Sequence, residues 1–347
     1  MNRIMDFVHK AGLPRIIIGL FLLALFVIAP FVGVRLDISF TNVMNRFGMN
    51  CVMVLAMVPM IHSGCGLNFG LPLGIISGLL GATMSIEFGF SGMLSFIMAI
   101  LFSTPFALIA GFGYGKLLNK VKGGEMMIAT YVGFSSVAFM CMMWLLLPYH
   151  NPTMVWGYAG RGLRTTISTE GYYLHVLNDL LSLKIAPDLV VPTGMFLFFA
   201  LLAFLMWAFL HTKTGTAMTA VGSNPIFARA SGINVDGIRT LSVIMSTWLG
   251  AVGILVYEQS FGFIQLYMGP FYMALPAVSA ILIGGASVNK ASITNVIVGT
   301  FLFQGILTMT PSVMNSVVHT DISEVVRIIV SNGMILYALT RKSEVAR

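Results

Sequence analysis

Charge is scarce in this chain. Only 9% of its 347 residues are Asp, Glu, Lys or Arg, against about 25% in an ordinary soluble domain. A chain folded in water needs polar atoms to cover its outside, and here there are too few. Cysteine is scarce as well: Cys51, Cys65 and Cys141. An odd count without a CxxC pair suggests neither a zinc site nor a disulfide framework, so the three read as small apolar fillers. No G-x-x-x-x-G-K-[ST] occurs. The nearest run, GFGYGKLLNK (111–120), has the wrong spacing and Leu after its Lys, so the chain lacks a phosphate-binding loop of its own. The histidines are His9, His62, His150, His175, His211 and His319, and none pairs as HxxxH or within H-E-x-x-H. They read as polar tips at span ends and in loops, and no catalytic cluster of a membrane enzyme emerges. Period-2 alternation is absent, which argues against a β-barrel.

What is there is apolar: 57% of residues are hydrophobic. Runs such as IIIGLFLLALFVIAPFVGV (16–34) and VVPTGMFLFFALLAFLMWAFL (190–210) reach the roughly 20 residues that cross a bilayer as helix. The first follows Arg3, Lys10 and Arg15, as a secretory signal would. It is longer than a signal's apolar core of about 7–15 residues and lacks a small-x-small cleavage site, so it is expected to stay as the first span. The fold class expected is all-α: a polytopic membrane protein, one transmembrane domain over 1–347. Ten spans are placed, at 15–34, 43–62, 68–87, 91–117, 125–147, 189–211, 239–262, 272–288, 292–310 and 323–340. The third and eighth are rich in Gly and Pro (GLNFGLPLGIISGLLGA, 66–82; GPFYMALPAVSAILIGGAS, 269–287). One such broken segment in each half points to a central pathway. The competing reading is an ordinary span whose glycines pack against neighbours.

Basic residues orient a membrane protein, with the excess inside. With a cytoplasmic N-terminus, ten spans put 13 of the 19 Lys and Arg on the inner side, including both terminal clusters. Eight of the 12 acids then fall outside or at outer ends. An odd count would place one basic terminus outside. The net +7 is thus a matter of membrane orientation, not of nucleic-acid binding. Two connections are long. The outer one, 148–188, contains YYLHVLNDLLSL, read as an amphipathic helix lying on the membrane or meeting a soluble protein. The inner one is 212–238.

The inner connection holds VGSNPIFARASGINV (221–235), polar among greasy neighbours. Ser223 or Asn224 can cap a helix start. Pro225 fits the first helical position, and Gly232 the left-handed position past the end. Between them lie Ile226, Phe227, Ala228, Arg229, Ala230 and Ser231, fewer than two turns and too short to stand alone in water. With no core of its own, such a helix calls for something to pack against it: another protein or the ends of neighbouring helices. Ile226 and Phe227 offer apolar knobs, and Arg229 a charged contact.

These residues carry a resemblance. AVGSNPIFARASGINV (220–235) resembles the cytoplasmic signature, roughly A-x-G-x-N-x-x-A-A-R-x-S-G-I-N-V, of ABC importer permeases for ribose, galactose and related sugars, a family that includes branched-chain amino acid permeases. PAVSAILIGGASVNKASITNVIVGTFLF (276–303) is similar to the family's later L-G-G-x-S run. IHSGCGLNFGLPLGIISGLLGA (61–82) departs from it: Asn68 and Phe69 stand where the family has an Asp-Leu-Ser type sequence, and Pro72 is added. The resemblance implies a transport subunit, not an enzyme, without a cofactor, its ATP and Mg held by a separate ATPase subunit. It implies that Asn224, Pro225, Ile226, Phe227, Arg229, Ser231 and Gly232 form the coupling helix that docks into that ATPase. It further implies a second permease subunit, identical or not, an extracytoplasmic solute-binding protein, surrounding membrane lipid, and a bacterial inner-membrane location with both termini cytoplasmic.

A small polar solute needs a few hydrogen-bonding groups and aromatic faces along its path. The candidates are Asn68, Phe69, Ser77, Ser279, Asn295, Phe303 and Gln304, with Ser135 and Ser136 also deep. Each alone is more often a helix–helix contact than a contact with solute. Ionisable groups within spans are functional by default; only Glu87 and Glu258 qualify, both near outer ends. That scarcity argues against an ion-coupled carrier, which stays as a rival to the importer. Within the importer reading, a monosaccharide leads and nucleosides and other small solutes remain alternatives.

Overall fold

The computed structural model describes residues 13–121, 123–156, 162–186, 188–287 and 290–318, together with five positions between 325 and 333. Among the described residues, seven helices are long and apolar enough to cross a membrane. They are α1 (Leu13–Ile28, continued by a 3-10 turn to Val32), α2 (Leu36–Leu55) with its short extension α3 (Met57–His62), α5 (Gly92–Lys120), α6 (Glu125–Leu146), α8 (Thr193–Leu210), α11 (Val235–Phe261) and α13 (Ile293–Val318). Two shorter apolar helices, α4 (Leu71–Glu87) and α12 (Gly269–Ile283), fall where the Gly- and Pro-rich spans are expected. The chain is a polytopic membrane protein. The tenth expected span, 323–340, lies outside the described residues.

Burial separates two classes of helix. The windows within 36–62 and 235–261 are each 72% buried, whereas those within 92–120 and 125–146 are 28% and 22% buried. α2 and α11 are therefore the axis, and α1, α5 and α6 form an outer ring. The ring's outward side chains, such as Leu101, Ile109 and Leu146, are exposed, as lipid contact requires.

The glycines of α4 explain its closeness to the axis. A Cβ at Gly74 would stand 2.5 Å from the Thr247 carbonyl oxygen, and one at Gly78 2.5 Å from that of Ala251. The Gly-x-x-x-Gly spacing lays α4 backbone to backbone on α11. The packing reading of these glycines is thus realised in a helix that is also short. Before α4, residues 63–70 are not helical, yet Ser63, Cys65, Leu67 and Asn68 are buried. Irregular backbone at this depth is tolerated only inside protein. The break between α2 and α3 has a local cause. Pro59 has no N–H for the Leu55 carbonyl, and the Ser246 hydroxyl donates to the Ala56 carbonyl at 2.5 Å.

The outer connection departs from the sequence reading in two ways. It contains strand: β1 (Thr166–Ser168) pairs antiparallel with β4 (Phe263–Gln265), Ile167 opposite Ile264, and β2 (Leu183–Ala186) pairs with β3 (Leu189–Val191). The all-α expectation holds for the membrane part only. The amphipathic helix expected over 172–183 shrinks to α7, Val176–Asp179. His175 and Leu181 have φ of 54° and 55°, left-handed values that end a helix at both sides. The peptide N–H groups of His175 and Leu177 are held by Gln259, at 2.7 and 3.1 Å.

Residues assigned by charge to one side do meet. The Glu87 carboxylate accepts the N–H groups of His150 and Asn151 at 2.9 and 3.0 Å, and Arg35 pairs with Asp188. At the opposite end, Arg239 pairs with Glu125 at 2.7 Å.

Candidate functional site

The inner connection is mostly helix. α9 (Lys213–Ser223) starts at Thr212, whose side chain accepts the Gly215 N–H at 3.2 Å. It runs directly into α10, Pro225–Ala230. Asn224, rather than Ser223, is the cap: its Oδ1 accepts the N–H groups of Ile226 and Phe227 at 3.1 and 3.0 Å. Ser223 instead donates to the Thr219 carbonyl at 2.9 Å, closing α9. Pro225 takes the first helical position. Ser231 follows the last turn, and Gly232 has φ +82°. The Gly232 and Ile233 N–H groups donate to the Arg229 and Ala228 carbonyls, both at 3.0 Å. Local chemistry thus specifies both ends of a six-residue helix.

This helix does have a small core, formed with the ends of its neighbouring helices. Ala228 is fully buried among Val221 and Val235, flanked by Ile233 and Ile238. That patch holds α10 in place and leaves its other side out: Ile226 is 82% exposed and Phe227 67%. Arg229 lies 3.9 Å from Asp236, both side chains more than half exposed, so the pair is a weak tie.

Underneath, α9 is joined to the membrane part by contacts that leave no room. A Cβ at Gly222 would meet the His62 carbonyl oxygen at 2.2 Å and the Gly64 nitrogen at 2.9 Å. The His62 ring lies 3.3 Å from the Thr219 hydroxyl through Nδ1 and 2.8 Å from the Ala291 carbonyl through Nε2. One imidazole therefore touches α9, ends α3 and reaches the turn between α12 and α13. Beside it, Arg239 at the start of α11 donates to Cys65 Sγ at 3.3 Å and to Glu125 Oε1 at 2.7 Å. The connection bearing α10 is thus tied to α3, α11 and the α12–α13 turn. Sequence reasoning missed His62, Thr219, Gly222 and the Arg239–Glu125 pair as parts of this junction. Only the position of His62 at a span end hinted at it.

The seven pathway candidates sit in the packed interior or at its turns. Asn68 is buried and bridges two helices: its amide donates to Ser246 at 2.7 Å, and its carbonyl accepts from Tyr114 at 3.2 Å. Phe69 is partly buried between two apolar clusters. Ser77 and Ser279 donate to carbonyls one turn back, Leu73 and Leu275, at 2.9 and 3.0 Å. Asn295 pins the α12–α13 turn, donating to the Gly284 carbonyl at 2.6 Å and accepting the Ser292 N–H at 2.8 Å. Phe303 and Gln304 are buried on α13. The polar groups of Asn68, Ser77, Ser279 and Asn295 are therefore already engaged within the chain. Ser135 and Ser136 likewise bond to their own helix, α6. Glu87 and Glu258 both hold the outer connection, Glu258 through the Tyr173 hydroxyl at 3.2 Å.

The profile of the family described as the branched-chain amino acid transport system permease component matches residues 16–338. Among curated proteins, the galactofuranose transporter permease protein YtfT of Escherichia coli (strain K12) is 25% identical over 310 residues, covering 87% of this chain and 82% of that protein. The autoinducer 2 import system permease protein LsrC of Enterobacter sp. (strain 638) is 24% identical over 213 residues, 61% of this chain and 57% of that protein. No solved structure matches.

Proposed function

Since the chain belongs to the family of branched-chain amino acid transport system permease components, we propose that it is the membrane subunit through which an ATP-driven importer moves a monosaccharide-sized solute. Being a permease component, it is a transport subunit and not a catalytic one. ATPase and binding-protein partners are general to such permeases. The finer reading is that α10 is where the ATPase grips, with the 212–238 connection cytoplasmic, two permease subunits facing each other, and a binding protein delivering solute from the other side.

One observation carries the docking assignment. A helix that is capped at both ends and seated on its own small core presents Ile226 and Phe227 outward, almost bare. Buried apolar knobs at an interface centre are what dominate association. The junction beneath would convert a push on α10 into displacement of α3, α11 and the α12–α13 turn together. A sugar rather than an amino acid is supported by the name of the relative that covers most of the chain, the galactofuranose permease. Nucleosides and other small solutes remain the alternative substrates.

The test is purification of the detergent-solubilised chain from its native membrane, with identification of what accompanies it. The expected companion has Walker motifs and is lost with Phe227→Ala. A chain that comes alone and still transports in liposomes without ATP would overturn the reading and return the ion-coupled carrier.

A further inference from the structure

α2, α11, α13 and α7 with the residue before it line an open cavity of about 480 Å³ at the end of the helices opposite α10. That lies within the roughly 300–1,000 Å³ of small-molecule sites. None of the seven pathway candidates lines it. From α2 come Asn42, Asn45, Arg46 and Met49, spaced i, i+3, i+4 and i+7, one face of a membrane-length helix. From α13 come Thr308, Pro311 and Ser312 with Leu307.

The site carries features that packing alone does not ask for. Pro311 interrupts α13 and has no N–H for the Leu307 carbonyl, which loses its helical donor; both residues line the cavity. His175, also in the lining, has φ 54°, a strained conformation of the kind that gathers at functional sites. Asn178 is held rigid, donating to Ser260 at 2.9 Å and accepting from Gln259 at 2.9 Å. Arg46 is exposed and forms no ion pair among the described residues, so its guanidinium is open to a ligand.

The lining also discriminates between solutes. The Thr308 and Ser312 hydroxyls donate to carbonyls one turn back, at 2.7 and 3.1 Å, and Asn178 and Ser260 bond to each other, which leaves the Asn42 and Asn45 amides, able both to donate and to accept, for a hydroxyl-rich solute. Phe261 and Met49 supply an apolar face. No Asp or Glu appears among the described lining residues, so the ammonium of an amino acid has no counterion there. We propose that this cavity is a receiving site for a hydroxyl-rich solute of about one sugar ring, with an electron-rich oxygen placed against Arg46. It deepens the importer reading and rests on it for the direction of travel.

The test uses the whole chain with its ATPase in nanodiscs, and D-galactose, D-galacturonate and L-leucine as probes. Binding of at least one sugar is expected, weakened tenfold or more by Asn45→Leu. Arg46→Gln is expected to weaken D-galacturonate more than D-galactose. Asn42→Cys, an exposed position, gives a second readout that does not disturb the packed interior: a bound sugar should slow its labelling by a polar thiol reagent. No sugar binding, binding of L-leucine alone, or affinities and labelling rates unmoved by variant and sugar would each overturn the site. ATP-driven sugar uptake that persists unchanged in Asn45→Leu and Arg46→Gln would remove the site and leave the importer reading standing. Sugar protection of Asn42→Cys in a chain that also takes up the sugar without ATP or an ATPase partner would keep the site and remove the importer reading.

Discussion

Asn224 shows how far a single side chain fixes the exposed helix. Its Oδ1 satisfies two of the N–H groups that a helix start leaves open. Asn224→Ala should cost about 1 kcal/mol of local helix stability, enough to fray six residues held otherwise by Ala228. The expected outcome is weaker recovery of the ATPase with unchanged membrane insertion, read by quantitative co-purification. Phe227→Ala should act more directly. Losing a central aromatic knob typically costs about 2 kcal/mol or more, some thirtyfold in affinity. Arg229→Ala should matter less than Phe227→Ala, because its tie to Asp236 is long and exposed. Equal losses from the two would mean that charge, not packing, holds the interface. Capping is legible in the sequence because every partner lies within five residues. The small core under Ala228 is not, since Val221 and Val235 meet it only after the chain turns back on itself.

Two glycines separate space from backbone conformation at the level of the element. Gly232 has φ +82° with nothing within 4 Å of where a Cβ would stand, so Gly232→Ala meets only backbone strain of about 1–2 kcal/mol. Gly222 is the opposite case, with the His62 carbonyl oxygen 2.2 Å from the Cβ position. Gly222→Ala must push α9 off α3 and separate His62 from Thr219. It should therefore leave the ATPase bound and abolish uptake, whereas Gly232→Ala should lower uptake modestly. Vesicle uptake alongside co-purification distinguishes them, and full uptake by Gly222→Ala would mean the junction transmits nothing. At the outer end, Tyr173 supplies a partner to the buried Glu258 carboxyl, whose other oxygen has none among the described residues. Tyr173→Phe should destabilise the fold by about 1–3 kcal/mol, seen as a lower melting temperature, with Glu258→Gln relieving part of the loss. Burial also pushes the Tyr173 hydroxyl well above its ordinary range, so the hydroxyl keeps its proton across the physiological window. None of these junctions is readable from the sequence. Helix lengths follow from hydropathy, but His62 meets Thr219 across 157 positions, and no local pattern encodes that. The polar face at 42, 45, 46 and 49 is hidden for a simpler reason. Hydropathy starts the second span at 43, whereas the helix begins at Leu36, because its outer turns are too polar to read as membrane.

At the scale of the whole molecule, the two ends of the helix bundle differ in chemistry, and orientation follows from that difference. One end gathers the Arg239–Glu125 pair, the His62 junction and α10. The other gathers the small sheets and the Glu87, Asp188 and Glu258 contacts. Basic residues are retained on the cytoplasmic side because translocating them is unfavourable, so the first end should face the cytoplasm. Cysteine labelling in intact cells checks this directly. Ile226→Cys and Glu170→Cys are both exposed positions, and the native thiols at Cys51 and Cys65 are buried, with Cys141→Ser removing the third. A membrane-impermeant maleimide should modify Glu170→Cys from outside and reach Ile226→Cys only after the cells are opened. The reverse pattern would invert the protein, put α10 where no ATPase can reach it, and turn the polar cavity towards the cytoplasm. The coupling and receiving roles would then fall together, because both depend on which end of the same α2–α11 axis meets the outside.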